Sequence, residues 1–515
     1  MTNRIFAGIV FLFSLIIYIT TMASTTSFWD CGEFIASSYT LGVPHPPGTP
    51  LYLLIGNVFS SMFFFIDDVG ARVNLVSPIV SALSVMFMYL ITVQLIKKWF
   101  NSNDNKFSQI SIYCSALIGA LLFAFTDAQW FNAVEAEVYA MSTFFTAIVV
   151  WLALQWTEKR GKKGNVRYVI LIAYLMGLAI GVHLLNLLAI PFIGLIIYFT
   201  SSKDNAGGFL IDNFLTYILG LITFIGFDIL GSELTVCIVM TLFIIIISIV
   251  IRYLLTFVIF KNKFTLKNFL RYLARISILP ICGFIFYIIN NGIIRGIPHM
   301  IKYWNYVDRV ELVSFSDKFT LFIFPLILVI LLIIGLLIYM ILEILKKRNN
   351  ISIKSSLYNL FKVSIISLFM IYIGFSTYST IFIRAGQNPN INENDPSDKT
   401  SFVKYMNREQ YGVEHHNIDW YNILKYYLST DDYELEYDEK FKRIMDTEIQ
   451  IDSSFSGLDG SDNKQRWLTE NYQYYVNNNT GSFDIEKVSN EDILKFVKNY
   501  QINEMYLRYF AWQFI

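Results

Sequence analysis

Apolar runs of bilayer-spanning length recur through the stretch 5–381, and nothing else in the chain narrows its possible folds so far. In hydrocarbon every backbone N–H and C=O must be paired within the segment, so such runs read as α-helices. With 55% hydrophobic and 16% charged residues and a mean hydropathy of +0.49 over 515 residues, a soluble globular core is excluded as the main body. The fold class expected is an all-α polytopic membrane protein.

A window criterion predicts spans at roughly 5–22, 73–96, 108–126, 138–156, 168–181, 183–200, 210–229, 235–258, 276–291, 319–344 and 360–381, about eleven helices. The stretch 51–66 is apolar but brief and reads as an interfacial helix. Alternation along this list puts Lys97-Lys98, Lys159 to Arg167, Lys261 to Arg275 and Lys346 to Arg348 on the same side as Arg4, the cytoplasmic side by the positive-inside rule. The loops 23–72, 127–137, 182, 230–234 and 292–318, and all that follows Ile381, then face outward. The apolar run after Arg4 shows no small-residue cleavage site and reads as a retained helix, not a signal peptide.

Two domains are expected: a transmembrane body, 1–383, and an extracytoplasmic soluble segment, 384–515. From Arg384 onward about 14 basic residues face about 23 acidic ones, unlike the basic remainder. The aromatic ending Tyr509-Phe510-Ala511-Trp512-Gln513-Phe514-Ile515 reads as a truncation inside that segment. Cys114, Cys237 and Cys282 lie in apolar spans and Cys31 in a loop, so neither a disulfide framework nor a metal-ligand spacing is visible.

The outer side carries the polar chemistry. In Phe28-Trp29-Asp30-Cys31-Gly32-Glu33-Phe34 two carboxylates stand three residues apart, sharing a face if the stretch is helical. A partly desolvated carboxylate there suits a general base; the alternative is Asp30 as a helix cap with Glu33 in the first turn. His45, in the rigid turn Pro44-His45-Pro46-Pro47-Gly48-Thr49-Pro50, can bind phosphate or a sugar hydroxyl. Glu135 and Glu137, beside Tyr139, either bind sugar hydroxyls or a divalent cation or simply begin a helix. His183 and Asn186 read as a substrate contact or as an interhelical hydrogen bond. Arg384 reads as a phosphate clamp or as an interfacial anchor. Arg72, Asn388, Asn392 and Glu393 complete the outward polar set.

These motifs resemble a known family. Ala71-Arg72-Val73-Asn74 opening the second span, after the acidic first loop, resembles the GT-C superfamily of polyprenyl-phosphate-sugar-dependent glycosyltransferases. More narrowly, Phe28 to Phe34, His45-Pro46-Pro47-Gly48, Val134 to Tyr139, Gly181 to Asn186, Asn392-Glu393-Asn394-Asp395-Pro396 and Asn407 to Gly412 resemble bacterial membrane proteins related to the animal transmembrane O-mannosyltransferase. Asn390 stands where that family pattern has a second proline. The resemblance implies inverting transfer of a hexose, mannose first, from a polyprenyl-phosphate donor to Ser or Thr hydroxyls of exported proteins. It implies Asp30 as the base with Glu33 assisting, and Arg384, Arg72 and His45 at the donor phosphate. Glu135, Glu137, Tyr139, His183, Asn186, Asn388, Asn392 and Glu393 fall to substrate. No metal or other cofactor and no nucleic acid is expected, and the membrane expected is a bacterial inner membrane with the site facing the periplasm. Two other readings keep the spans: a transporter or flippase, and the same fold acting on a lipid or glycan acceptor. A third makes the tail a docking module without catalysis.

Overall fold

The computed structural model describes residues 2–100, 106–162, 164–201, 206–213, 266–304, 318–348 and 356–411, with the single positions 217, 245, 247, 498, 502 and 507. Among these residues the regular structure is helical, and the one β pairing is an isolated parallel bridge between Val43 and Asn392. In chain order the helices are α1 (Thr2–Thr21), α2 (Cys31–Thr40), α3 (Pro50–Met62), α4 (Val69–Asn74), α5 (Val76–Phe100), α6 (Lys106–Ala124), α7 (Asp127–Ala133), α8 (Val138–Glu158), α9 (Val166–Ile180) and α10 (Ala189–Ser201). They continue with α11 (Ala206–Asn213), α12 (Leu266–Tyr287), α13 (Gly296–Lys302), α14 (Phe324–Arg348), α15 (Ser356–Phe375), α16 (Ser379–Ala385) and α17 (Lys399–Met406).

Six helical stretches are long and apolar enough to cross a membrane: Thr2–Thr21, Val69–Trp99, Val138–Glu158, Arg275–Lys302, Lys318–Leu345 and Tyr358–Ala385. A seventh results if α6 and α7, bent by 67° at their junction, count as one broken span. The expected number of about eleven is not reached among the described residues, and the expected spans 210–229 and 235–258 fall outside them. The spans expected at 168–181 and 183–200 are shorter than the hydropathy window implied. At 15 residues α9 measures about 22 Å, less than the hydrocarbon thickness of about 30 Å. The next apolar stretch opens with a 3-10 turn, Leu184–Leu188, before α10. The expected outer loop 127–137 likewise contains α7, and the apolar stretch expected at 51–66 is the 13-residue α3.

Local chemistry explains the boundaries. Pro50 begins α3, where a missing N–H costs nothing. Asp68 caps α4 by accepting from the Ala71 N–H at 3.0 Å, and Asp398 caps α17 through the N–H groups of Thr400 and Ser401.

Two apolar clusters hold the helices. One joins α1, α5, α6 and α7 through Val10, Tyr18, Val85, Tyr89, Ala116 and Ala120, with the Tyr18 hydroxyl donating to the Ala124 carbonyl at 2.8 Å. The other gathers α2, α3, α8, α9 and α10 with residues 289–294 and 375–406. Within it α9 meets α15 backbone to backbone at Gly177 and Gly374. A Cβ on Gly177 would lie 2.5 Å from the Ile371 carbonyl oxygen, and one on Gly374 would lie 2.4 Å from the Leu178 nitrogen. Small residues permit this approach, which lets a helix too short to span be gripped along its length.

The chain divides into two compact units, Met1–Phe209 with Lys267–Gln410, and Leu210–Leu266 with Tyr411–Ile515. The candidate site lies wholly in the first. Most of the second, including nearly all of the expected soluble segment, falls outside the described residues.

Candidate functional site

The site is built on α2, whose two ends are held by different parts of the chain. At its start the buried Asn74 side chain donates to the carbonyls of Ala23 (2.9 Å) and Thr25 (2.8 Å), tying the beginning of the first loop to α4. The Cys31 thiol rests against the same amide at 3.8 Å. Trp29 turns with φ of 58°, a left-handed conformation that a bulky residue adopts at a cost. This turn leaves the Phe28 and Trp29 rings exposed and delivers Asp30 to the head of the helix. The Asp30 carbonyl accepts from the Phe34 N–H at 2.9 Å, but its carboxylate makes no capping bond. The side chain expected either to cap or to react therefore does not cap the helix, and 58% of its surface is open.

At its far end Leu41 closes α2 in a left-handed turn, and Arg384 from α16 seals the exposed carbonyls. Its guanidinium donates to Leu41 (2.7 Å) and Thr40 (3.1 Å), and to the Gln387 amide. A cation on the last carbonyls is also favoured by the helix dipole. Arg384 thus sits about 15 Å from Asp30, the length of a ten-residue helix. Arg72 is similarly engaged, its three nitrogens facing the carbonyls of Ile66, Ser60 and Asp67.

The proline turn brings His45 back over the first turn of α2. Glu33 accepts from the His45 backbone N–H at 2.8 Å and meets the imidazole Nδ1 at 2.6 Å, while His45 Nε2 stands 3.9 Å from Asp30. The imidazole is therefore held between two carboxylates. Its hydrogen bond to Glu33 raises its pKa, with burial opposing and the Glu33 and Asp30 charges adding to the rise. Burial pushes Glu33 upward, but the two hydrogen bonds from His45 prevail and hold it below the ordinary carboxylate range. Asp30, Glu33 and His45 each offer a ligand-capable atom, all within 4.8 Å of one another. No metal spacing was visible in the sequence because the third member lies 12 residues beyond Glu33, across the proline turn.

The segment after the last apolar helix completes this wall. Val43 donates to the Ile391 carbonyl (2.7 Å) and accepts from the Glu393 N–H (3.0 Å), setting residues 391–393 alongside the turn. Burial first, then the neighbouring Glu33 charge, raises Glu393 above the ordinary carboxylate value. Asn392 donates to Asp395 at 3.0 Å, and Asn388 occupies a turn with φ of 50°. The Tyr405 hydroxyl of α17 donates to the Pro44 carbonyl. Gly48, with φ of 89°, has no room for a Cβ, which would lie 2.9 Å from Ile381 Cδ1 and closer still to the Tyr405 hydroxyl. Asn74 and Tyr405 carry no role in the sequence reading, although both organise this loop. An asparagine inside an otherwise apolar span start was the available signal for the first, and a tyrosine on the apolar face of a short amphipathic helix for the second.

Behind Asp30 lie two further carboxylates. Glu135 and Glu137 are 1% and 5% exposed. Burial, then the charges of Asp30 and Glu135, raises Glu137 to about 7, and burial raises Glu135 as well. Tyr139 packs its ring on His183, centroids 5.2 Å apart. His183 accepts from the Leu185 N–H, and Asn186 joins the Thr146 hydroxyl of α8 (2.9 Å) to the His183 carbonyl (2.9 Å). Of the two readings of His183 and Asn186, the interhelical hydrogen bond is thus present. Asp30, Glu33, His45, Glu137 and Glu393 share one electrostatic neighbourhood, whereas Arg384, Arg72 and Asn186 serve backbone or helix contacts nearby.

Fold and site together define a multi-pass helical membrane protein whose first loop presents a carboxylate–imidazole–carboxylate set against buried glutamates. Comparison with known proteins narrows that class. Residues 30–206 match the model of the protein O-mannosyl-transferase TMEM260 N-terminal domain, to which this stretch is similar. Among curated proteins, the protein O-mannosyl-transferase tmem260 of Dictyostelium discoideum is 31% identical over 209 residues, 38% of this chain and 24% of that protein. The protein O-mannosyl-transferase TMEM260 of Mus musculus is 24% identical over 176 residues, 34% of this chain and 22% of that protein. The chain matches about a quarter of the length of these relatives. No solved structure matches. The matched residues contain Asp30, Glu33, His45, Glu135, Glu137, His183 and Asn186, and the motifs around Glu393 and Asn407 lie beyond them.

Proposed function

We propose that this chain is a membrane glycosyltransferase, transferring a hexose, mannose first, from a polyprenyl-phosphate donor to Ser or Thr hydroxyls of exported proteins. The observation that carries the reading is the Asp30 carboxylate, exposed and free of capping bonds at the head of α2, beside an imidazole held by Glu33. A single inverting displacement needs a base on the acceptor face, and Asp30 has an oxygen available to take the hydroxyl proton as the C–O bond forms. Glu33 has both oxygens turned to His45, which suits positioning. The same residues stand in the stretch similar to proteins named O-mannosyl-transferases, which supports a protein acceptor. The basic clusters at the opposite helix ends support a site facing away from the cytoplasm, and the family resemblance makes a bacterial inner membrane, with the site on its periplasmic side, the membrane of this reading. In this reading the exposed rings of Phe28 and Trp29 lie at the headgroup level, where a lipid-linked donor arrives.

The test is transfer of sugar from a polyprenyl-phosphate donor to an exported acceptor protein by the purified chain, followed by intact-mass spectrometry. Hexose addition by the parent and its loss in Asp30→Asn at equal protein level are expected. Unchanged addition in Asp30→Asn would remove Asp30 as the base.

A further inference from the structure

We propose that Arg408, together with the Nε2–H of His183, binds the phosphate of a prenyl-linked donor beside Tyr139. That this phosphate is the sugar donor's rests on the glycosyltransferase reading above, whereas the anion site itself stands on the placement of Arg408.

Arg408 lies just past the end of α17, its N–H donating to the Tyr405 carbonyl at 3.0 Å, with φ of 60°. A left-handed residue directly after a helix is most often glycine, and an arginine is held there at a cost in backbone strain. Such strain at an exposed, charged residue points to a use for its side chain. The helix before it is fixed from several directions. The Tyr405 hydroxyl donates to the Pro44 carbonyl, Asn407 meets His299 Nε2 at 3.3 Å, and Phe402 rests on Phe382 with ring centroids 5.6 Å apart. Past the proline turn that Tyr405 holds, the Leu51 N–H donates to the Gly181 carbonyl at 2.9 Å, setting the end of α9 and the following His183 near the same turn. Arg408 is thereby brought to the mouth where the Tyr139 and His183 rings meet, and both rings, with Tyr378, feel its charge.

The chemistry of this mouth suits an anion. His183 Nδ1 accepts from the Leu185 N–H at 3.2 Å, so the neutral ring carries its proton on Nε2. Burial first, then the Arg408 charge, lowers the His183 pKa and keeps the ring in that form. The Nε2–H has no acceptor among the described residues. A guanidinium and an N–H donor at one place match the several oxygens of a phosphate. Tyr139 feels the charges of Asp30 and Glu137 as well as that of Arg408, so the proposed base and this cation share one neighbourhood. A displacement at a single sugar carbon requires that. As the acceptor oxygen bonds to the carbon, the bond to phosphate breaks and its electron pair stays on the phosphate oxygen, where a fixed cation counts most. The two arginines expected at the donor phosphate stand elsewhere. Arg384 serves Thr40 and Leu41 at the far end of α2, and Arg72 serves Ser60, Ile66 and Asp67.

The experiment is binding of a polyprenyl monophosphate to the full chain in detergent, read by native mass spectrometry, with the uncharged polyprenol and phosphatidylglycerol as comparison ligands. The parent is expected to prefer the polyprenyl phosphate to both. Arg408→Gly is expected to weaken that binding by about tenfold or more, as for a lost hydrogen bond to a charged group. The same variant should keep or raise the melting midpoint, because glycine relieves the left-handed turn, and a merely structural arginine would not separate the two readouts. Arg408→Lys keeps the charge without the planar fork and should fall between. Lys404→Gln, which removes an exposed cation on the same helix, should bind as the parent does. Equal binding in the parent and Arg408→Gly, or an equal loss in Lys404→Gln, would overturn the site, as would equal binding of the polyprenol by the parent. A parent that binds phosphatidylglycerol as tightly would make the ligand a bilayer headgroup and overturn the donor assignment. Selective binding that Arg408→Gly loses, without hexose transfer by the parent, would leave the site standing and reject the glycosyltransferase reading. Hexose transfer with an unchanged donor KM in Arg408→Gly would reject Arg408.

Discussion

Asp30 with Glu33, and Glu135 with Glu137, are two acidic pairs of similar spacing at the mouths of neighbouring helices, and their surroundings make them different chemical objects. The first pair stands on the open side of the first loop, where His45 sits between its members and Asp30 keeps 58% of its side chain exposed. The second is covered, and burial raises both of its members, Glu137 to about 7. One pair is open to solvent and joined by an imidazole; the other is buried behind it. Spacing in the chain therefore says little about what a carboxylate does until its neighbours are known.

The sharpest way to break that contrast is to remove one member of each pair. Asp30→Asn is expected to lower the initial rate of hexose transfer by about 10²–10⁴-fold, the range for a lost general base. Glu137→Gln, which removes charge and keeps shape, is expected to change that rate far less. Equal losses would merge the two pairs into one functional unit.

The pH dependence of stability separates them next. Glu137 has a folded-state pKa above its unfolded value, so the folded state holds the proton more tightly and stability falls as pH rises from about 4.5 to about 7, the loss being complete above that. Glu137→Gln is expected to stabilise the protein at pH 8 relative to pH 5, by up to about 3 kcal/mol from the size of the shift, measured by chemical unfolding in detergent. An equal effect at both pH values would show that burial does not raise Glu137.

Glu33→Gln weakens the half-buried carboxylate–imidazole pair and should cost about 1.5–3 kcal/mol, the worth of a hydrogen bond to a charged group, measured by chemical unfolding in detergent. Because Glu33 is lowered and His45 raised by the same bond, the cost should be largest between their two pKa values and shrink toward acid and alkaline pH. The smallest effect is expected at the far end of α2. Arg384→Gln loses the bonds to Thr40 and Leu41 and should lower stability by about 1 kcal/mol, as for a lost cap, with a rate closer to the parent than that of Asp30→Asn. A rate as low as that of Asp30→Asn would return Arg384 to the donor phosphate.

The helical membrane body was legible because hydropathy reports composition over a window, and the apolar runs at 5–22, 138–156 and 319–344 each meet a described helix of spanning length. The runs at 168–181 and 183–200 misled for a related reason. A window that sees apolar side chains does not see that α9 stops at Gly181, or that the Leu51 N–H and the Tyr378 hydroxyl take up the carbonyls of Gly181 and Ile180. For the site, the reading of Asp30, Glu33 and His45 as outward polar residues near one another in the chain was available from their motifs. That His45 lies between the two carboxylates was not, because the turn carrying it is placed by Tyr405 and by the pairing of Val43 with Ile391 and Glu393, some 350 residues away.

What the amino-acid sequence by itself determined is a helical body with apolar spans and the residue types that stand at the ends of its helices, since burial of apolar side chains and the cost of unpaired backbone in hydrocarbon act on each segment separately. What only the tertiary structure decided is the burial and partnership of each carboxylate. Those depend on distances of a few ångströms between residues far apart in the chain, and electrostatic interaction grows steeply as groups approach and water is excluded.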